Sequence, residues 1–171
     1  MATLHLLTGA WGSGKTTLIP HLVPALPDAV VFDWDALLPG LSAAAGTDAH
    51  RDPSTWDGLR AMWIAVVGAV LAGGRDVVLC GPATPEDFAE GGIARASIRW
   101  ACLDLPDEVL AARLRARGER EEDVADELEA MAALRASACT TLPAGGLDPR
   151  QVAAVVAAWV LAAGGGPAAP G

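Results

Sequence analysis

Residues Gly9-Ala10-Trp11-Gly12-Ser13-Gly14-Lys15-Thr16 spell the pattern G-x-x-x-x-G-K-[ST] in full. With this chain's own composition the pattern would arise by accident about 0.001 times, so it is read as a built loop. Glycines let successive amides turn inward around phosphate oxygens, and the amino end of a following helix adds partial positive charge. Lys15 is placed to reach the outer phosphates and the Thr16 hydroxyl to ligate magnesium. The flanks constrain the fold. The apolar run Thr3–Thr8 predicts a buried strand before the loop, and a helix is expected from Lys15 to Ala25, kinked or shortened by Pro20 and Pro24. Gly9, Ala10, Trp11, Gly12, Ser13, Gly14, Lys15, Thr16 and Thr17 are therefore the candidate nucleotide-binding residues. Trp11 is an unusual occupant, placed either over a ligand or against a neighbour.

Further short apolar runs occur at Ala29–Phe32, Asp76–Cys80 and Ile98–Leu103, with a weaker one near Cys139–Thr141. Helical stretches separate them. Their starts are marked by Asp52-Pro53, Thr84-Pro85 and Asp148-Pro149, and two of their stops by Gly73-Gly74 and Gly118. Residues between Asp35 and Asp52 read as a loop. Strands alternating with capped helices predict parallel βαβ units, hence a three-layer α/β fold. A length of 171 residues suits one domain, placed at 1–163, with a loose Gly- and Pro-rich tail at 164–171.

Composition narrows the partners. The net charge of −9 repels phosphate backbones and anionic membranes, so neither nucleic acid nor a membrane surface is expected as a partner. Any phosphate site must be a local positive pocket in a negative field. Of the 12 basic residues 11 are arginine, and the single lysine is Lys15. The most apolar runs, Ala61–Ala72 and Val152–Ala163, are shorter than a membrane span of about 18–20 residues and read as buried helices. No basic segment precedes the first apolar stretch, and three widely spaced cysteines without a CxxC suggest reduced, buried thiols. The expectation is a cytoplasmic protein, monomeric or homodimeric. His5, His21 and His50 have no ligand spacing and are expected to be structural.

Chemistry beyond nucleotide binding rests on a few side chains. Asp33 and Asp35 follow the second strand, and in an extended chain both point into one cleft at the edge where parallel sheets bind ligands. One suits magnesium, directly or through water, and the other a proton from an attacking hydroxyl; Asp33 is the metal candidate and Asp35 the base, with the reverse left open. The third strand ends Leu79-Cys80-Gly81 without an acid, which increases the burden on this pair. Arg113 and Arg117 lie four apart on a helix, on the face opposite Arg115, and are candidates to neutralise charge on a transferring group. Arg120 is a further candidate for the same lid. On the acceptor side the candidates are Arg51, Arg60 and Trp56, whereas Trp63 is expected in the core. An aromatic site with a carboxylate and few cations suits a hydroxyl-bearing organic acceptor better than a nucleoside monophosphate.

These segments resemble the small P-loop kinases, the group containing adenylate, shikimate and gluconate kinases and chloramphenicol phosphotransferase. GAWGSGKTT is similar to their phosphate loop, DWDALLP to their acidic acceptor motif, and LDLPDEVLAARLRARG to the segment leading into their mobile lid. The resemblance implies a five-stranded parallel sheet of order 2-3-1-4-5 with a short lid. It implies ATP, or GTP, and Mg2+ held through Lys15 and Thr16, Asp35 on the acceptor hydroxyl, and Arg113 and Arg117 on phosphates. The reading is a phosphotransferase acting on a hydroxyl of a small molecule, either a nucleoside-like metabolite or an antibiotic. A nucleoside-monophosphate kinase and a regulatory ATPase with a protein partner are the alternatives.

Overall fold

The apolar runs become five parallel strands in a computed structural model that describes residues 2–49, 52–137 and 139–162. Strand β1 spans Leu4–Thr8, β2 Ala29–Asp33, β3 Asp76–Cys80, β4 Ile98–Asp104 and β5 Thr140–Pro143. They pair in the order β2-β3-β1-β4-β5. Seven α-helices connect or follow them: α1 Lys15–Ala25, α2 Leu38–Ala45, α3 Trp56–Ala72, α4 Pro85–Glu90, α5 Asp107–Ala116, α6 Glu121–Ala136 and α7 Pro149–Leu161. His50, Arg51 and the tail 164–171 lie outside the described residues.

Alternation along the central strand builds two cores. Leu4 and Leu6 face one way, into a cluster with Leu59, Trp63, Val67 and Phe88. Leu7 faces the other, with Leu18 and Leu22 of α1, Leu110 and Leu114 of α5 and Val156 and Val160 of α7. The sheet is thus covered on both faces, and each fully buried leucine contributes about 1.5–3 kcal/mol. This is the expected three-layer α/β fold.

Three local outcomes differ from the sequence expectation. Helix α1 keeps its full length through Pro20 and Pro24 and ends at the Leu26 cap. Helix α2 stands where a loop was expected; Pro39 sits in its first turn, where an amide has no helical partner to lose, and Gly46 closes it in the left-handed region at φ 68°. Helix α3 with its preceding 3-10 turn runs Pro53–Ala72, 20 residues that include an 18-residue stretch of mean hydropathy 1.2, so by length and composition alone it is apolar enough to cross a membrane. The shorter run counted from sequence understated it. Its inner row, Leu59, Trp63 and Val67, is buried against the sheet, while Met62 and Val66 face outward.

The amino edge of the sheet holds a buried polar group. His5, with no exposed surface, lies 3.8 Å from Asp76 through Nε2, too far for a hydrogen bond, and edge-on to Trp159 at 5.3 Å. Asp76 accepts from the Thr3 amide at 2.7 Å, and Arg99 donates to the Trp159 carbonyl at 2.7 Å. Burial pulls the His5 pKa down to about 4, against the opposing pull of Asp76. Cys80 and Cys102 are buried free thiols, and Cys139 is free but only half-buried.

Candidate active site

Every strand delivers its carboxyl end to one edge, where the loop Gly9–Gly14 joins β1 to α1. Gly12 and Gly14 take left-handed backbones, φ 81° and 98°, that side-chain-bearing residues rarely adopt. The Ser13 amide closes a turn onto the Ala10 carbonyl at 3.1 Å, and Gly12 rests on Leu114 so closely that a Cβ there would meet its Cδ2 at 3.1 Å. Lys15 Nζ donates to the carbonyls of Gly9 at 2.6 Å and Ala10 at 3.1 Å. Burial pulls the Lys15 pKa down, opposed by Cys80, Glu127, Asp35 and Asp33. Thr16 and Thr17 are exposed on the first turn of α1. Trp11 is 46% exposed, and its amide donates to Glu127 Oε2 of α6 at 2.7 Å. Glu127 was not singled out from sequence, because it is one of many acids in an acidic helix.

Beside the loop lies a cavity of about 240 Å³, lined by Gly12–Gly14, Thr17, Arg113, Arg117 and, across from them, Leu147, Pro149 and Val152. Arg113 Nη1 stands 3.4 Å from the Ser13 carbonyl and 3.5 Å from that of Gly12, long contacts that leave the guanidinium loosely held. Arg115, on the opposite face, is occupied by Glu121 at 2.6 Å. Arg120 does not join Arg113 and Arg117 among the residues lining this cavity: it pairs with Glu122 and, at 2.9 Å, with Asp123, because three acids begin the next helix. Arg135 ties α6 to the end of β4 and the start of α5 through Asp104 and Asp107, each at 2.7 Å.

The acidic pair is arranged differently from the extended strand assumed above. Strand β2 ends at Asp33 and a 3-10 turn, Trp34–Leu37, begins at once. Asp33 caps that turn, its Oδ1 accepting from the Asp35 amide at 3.2 Å. The two-residue repeat of a strand therefore does not relate the two carboxylates. Asp33 sits beside Cys80 in the sheet register, and burial followed by the Asp33 charge pushes the Cys80 thiol up to about 12. The missing acid at the end of β3 is thus a neutral thiol.

Asp35 lines a second cavity, of about 330 Å³, with Trp34, Trp56, Arg60, Pro82 and Asp87. Trp34 is fixed from behind. It stacks on Trp63 at 6.0 Å and 23°, and Trp63 Nε1 donates to the Trp34 carbonyl at 3.1 Å. A Cβ on Gly81 would meet Trp34 Cβ at 2.4 Å, so only glycine lets the ring sit there. Trp63 is 1% exposed, in the core as expected, and Trp56 is 49% exposed on the cavity wall. Arg60 reaches the cavity, but Nε pairs with Asp87 at 2.9 Å and Nη1 with Asp57 at 3.1 Å. Its guanidinium is thus already engaged by two carboxylates. Arg51 falls outside the described residues. Trp34 and Asp87 were missed; Trp34 adjoins the acidic motif, whereas Asp87 reads in sequence only as a helix-start acid.

Among the described residues, no group of three or more His, Cys, Asp or Glu side chains is arranged to hold a metal. Magnesium typically takes substrate phosphates, waters and one or two protein oxygens, and the exposed Thr16 hydroxyl and the Asp33 carboxylate at the end of β2 are of the kinds that donor set uses.

A model of the AAA domain family matches residues 4–140. The fold is similar to that of a tunicamycin resistance protein from Deinococcus radiodurans, at 23% identity and TM-score 0.67 over 100% of both chains. It is also similar to a shikimate kinase from Acinetobacter baumannii, at 18% identity and TM-score 0.62 over 95% of each chain. A gluconokinase from Sinorhizobium meliloti aligns at 19% identity and TM-score 0.60, over 95% of this chain and 94% of that one. No curated protein sequence matches the chain. With the family model spanning the phosphate loop, both acids and the arginine helix, the chain belongs to the AAA domain family of P-loop proteins, built on the fold of the small P-loop kinases.

Proposed function

We propose that the protein is an ATP- and magnesium-dependent phosphotransferase acting on a hydroxyl group of a small molecule, nucleoside-like or an antibiotic. One arrangement carries this reading: the phosphate loop that leaves β1 and Asp35, two residues past the end of β2, stand at the same carboxyl edge of the parallel sheet, each beside a cavity. The kinase names of the structural neighbours support phosphoryl transfer as the chemistry.

In this mechanism Leu147, Pro149 and Val152 would offer an apolar wall to the purine, and the loop amides would hold the phosphates. Thr16 and Asp33 would hold magnesium, which would supply positive charge to the phosphates. The acceptor oxygen forms a bond to the γ-phosphorus as the bond from that phosphorus to the β-γ bridging oxygen breaks, and ADP leaves. The hydroxyl proton passes to the Asp35 carboxylate. Lys15, Arg113 and Arg117 stabilise the charge spread over the transferring group.

Calorimetry with magnesium and purine triphosphates, followed by ADP release against a library of small alcohols, tests the reading. Expected are uptake of a triphosphate and acceleration by an alcohol. No uptake of any purine triphosphate, or hydrolysis that answers only to a macromolecular partner, would overturn it.

A further inference from the structure

The acceptor cavity carries a charge arrangement that the sequence did not disclose. Among the described residues lining it, Arg60 is the one cation, and two carboxylates already engage it. Asp87 is the inner partner. Its carboxylate is 22% exposed, and besides binding Arg60 Nε at 2.9 Å it accepts from the Thr84 amide at 2.8 Å and the Thr84 hydroxyl at 3.0 Å. Those bonds hold it at the start of α4, so it cannot swing away without uncapping that helix. Asp57, the outer partner, is 93% exposed and easily displaced.

We infer that Asp87 selects against anionic acceptors, so that the substrate is a ring-bearing alcohol with no carboxylate or phosphate of its own. This rests on the phosphotransferase reading above. An anion entering the cavity meets Asp87 across its wall and must compete with it for Arg60. Winning that competition leaves a mostly buried carboxylate without its cation, a costly outcome, whereas an uncharged alcohol leaves the pair intact. The remaining surface is suited to a flat ring: Trp34, braced on Trp63, and Trp56 offer apolar faces, and Asp35 accepts a hydroxyl proton. The shikimate and gluconate kinases that share this fold are named for acidic sugars and polyols, so the fold does not dictate this selection. The Arg60–Asp87 pair does.

Related acceptors with and without an anionic group test the inference. The probes are a purine and a pyrimidine nucleoside with their 5′-monophosphates, and shikimate with its methyl ester. ADP release and calorimetric binding are read for each at fixed magnesium and ATP. The uncharged member of a pair should be preferred by about tenfold or more. In Asp87→Asn that preference should shrink or reverse, because Arg60 is released to bind an anion; in Arg60→Gln it should persist. Equal or better use of the anionic members by the native protein overturns the inference and leaves phosphoryl transfer standing. A native triphosphate complex that none of the alcohols accelerates removes the phosphotransferase reading and this one with it. If Asp87→Asn does not fold, the native pair comparison still decides.

Discussion

The two cavities at the carboxyl edge of the sheet are built in opposite ways. The phosphate side is made of contiguous backbone: Gly9–Gly14 turns on itself, and its amides need no side chain to be aimed. The acceptor side is made of side chains from four separated segments, Trp34–Asp35, Ala49, Trp56–Arg60 and Pro82–Asp87, each aimed by something behind it. A site made of local backbone tolerates change elsewhere in the chain, whereas one assembled from distant side chains depends on every support.

Removing the amine of the phosphate loop should have the largest effect. Lys15→Ala is expected to lose triphosphate affinity and at least about 100-fold in turnover; native ATP affinity and rate in that variant would remove the loop from the mechanism. Asp35→Asn should separate the two sides, lowering kcat by about 100- to 10,000-fold while ATP affinity by calorimetry stays close to native. Wild-type turnover there would make the base assignment wrong.

The far edge of the sheet supplies a control that touches neither cavity. Unfolded His5 takes a proton near pH 6.5, while the folded residue resists down to about 4, so the unfolded state binds more protons in that window. Stability is then intact above about pH 6.5 and falls as the pH drops toward 4, by up to about 3 kcal/mol. Urea midpoints across that range should fall more steeply for the native protein than for His5→Leu; identical slopes would show that His5 is not the linked group.

The smallest effect expected is Gly81→Ala. Its new methyl drives into Trp34, the wall of the acceptor cavity, and should raise the acceptor KM by about tenfold with ATP affinity unchanged. An equal loss on both substrates would mean that the two cavities are not independent.

The phosphate side was legible from sequence because its information is local. The eight-residue motif, the strand before it and the helix after it came out where residue types and spacing put them, and so did the strand runs and the proline-marked helix starts. Helix α2 was not legible, since Pro39 and Gly40 read as loop residues and only the first-turn position of Pro39 makes them compatible with a helix. The relation of Asp33 to Asp35 was misread for a similar reason: nothing in the sequence says that β2 stops at Asp33 and that this residue caps the next turn. Arg60 and Asp87 are 27 residues apart, and their pairing comes from the packing of α3 beside α4.

Sequence alone determined that this chain carries a phosphate-loop motif within a doubly covered parallel sheet, because glycine torsions, a lone lysine and alternating apolar runs act over a few residues at a time. Only the tertiary structure decided how the neighbouring cavity is lined. That property depends on which charges neutralise one another and which rings are braced, and such pairs form only when distant segments are packed into contact.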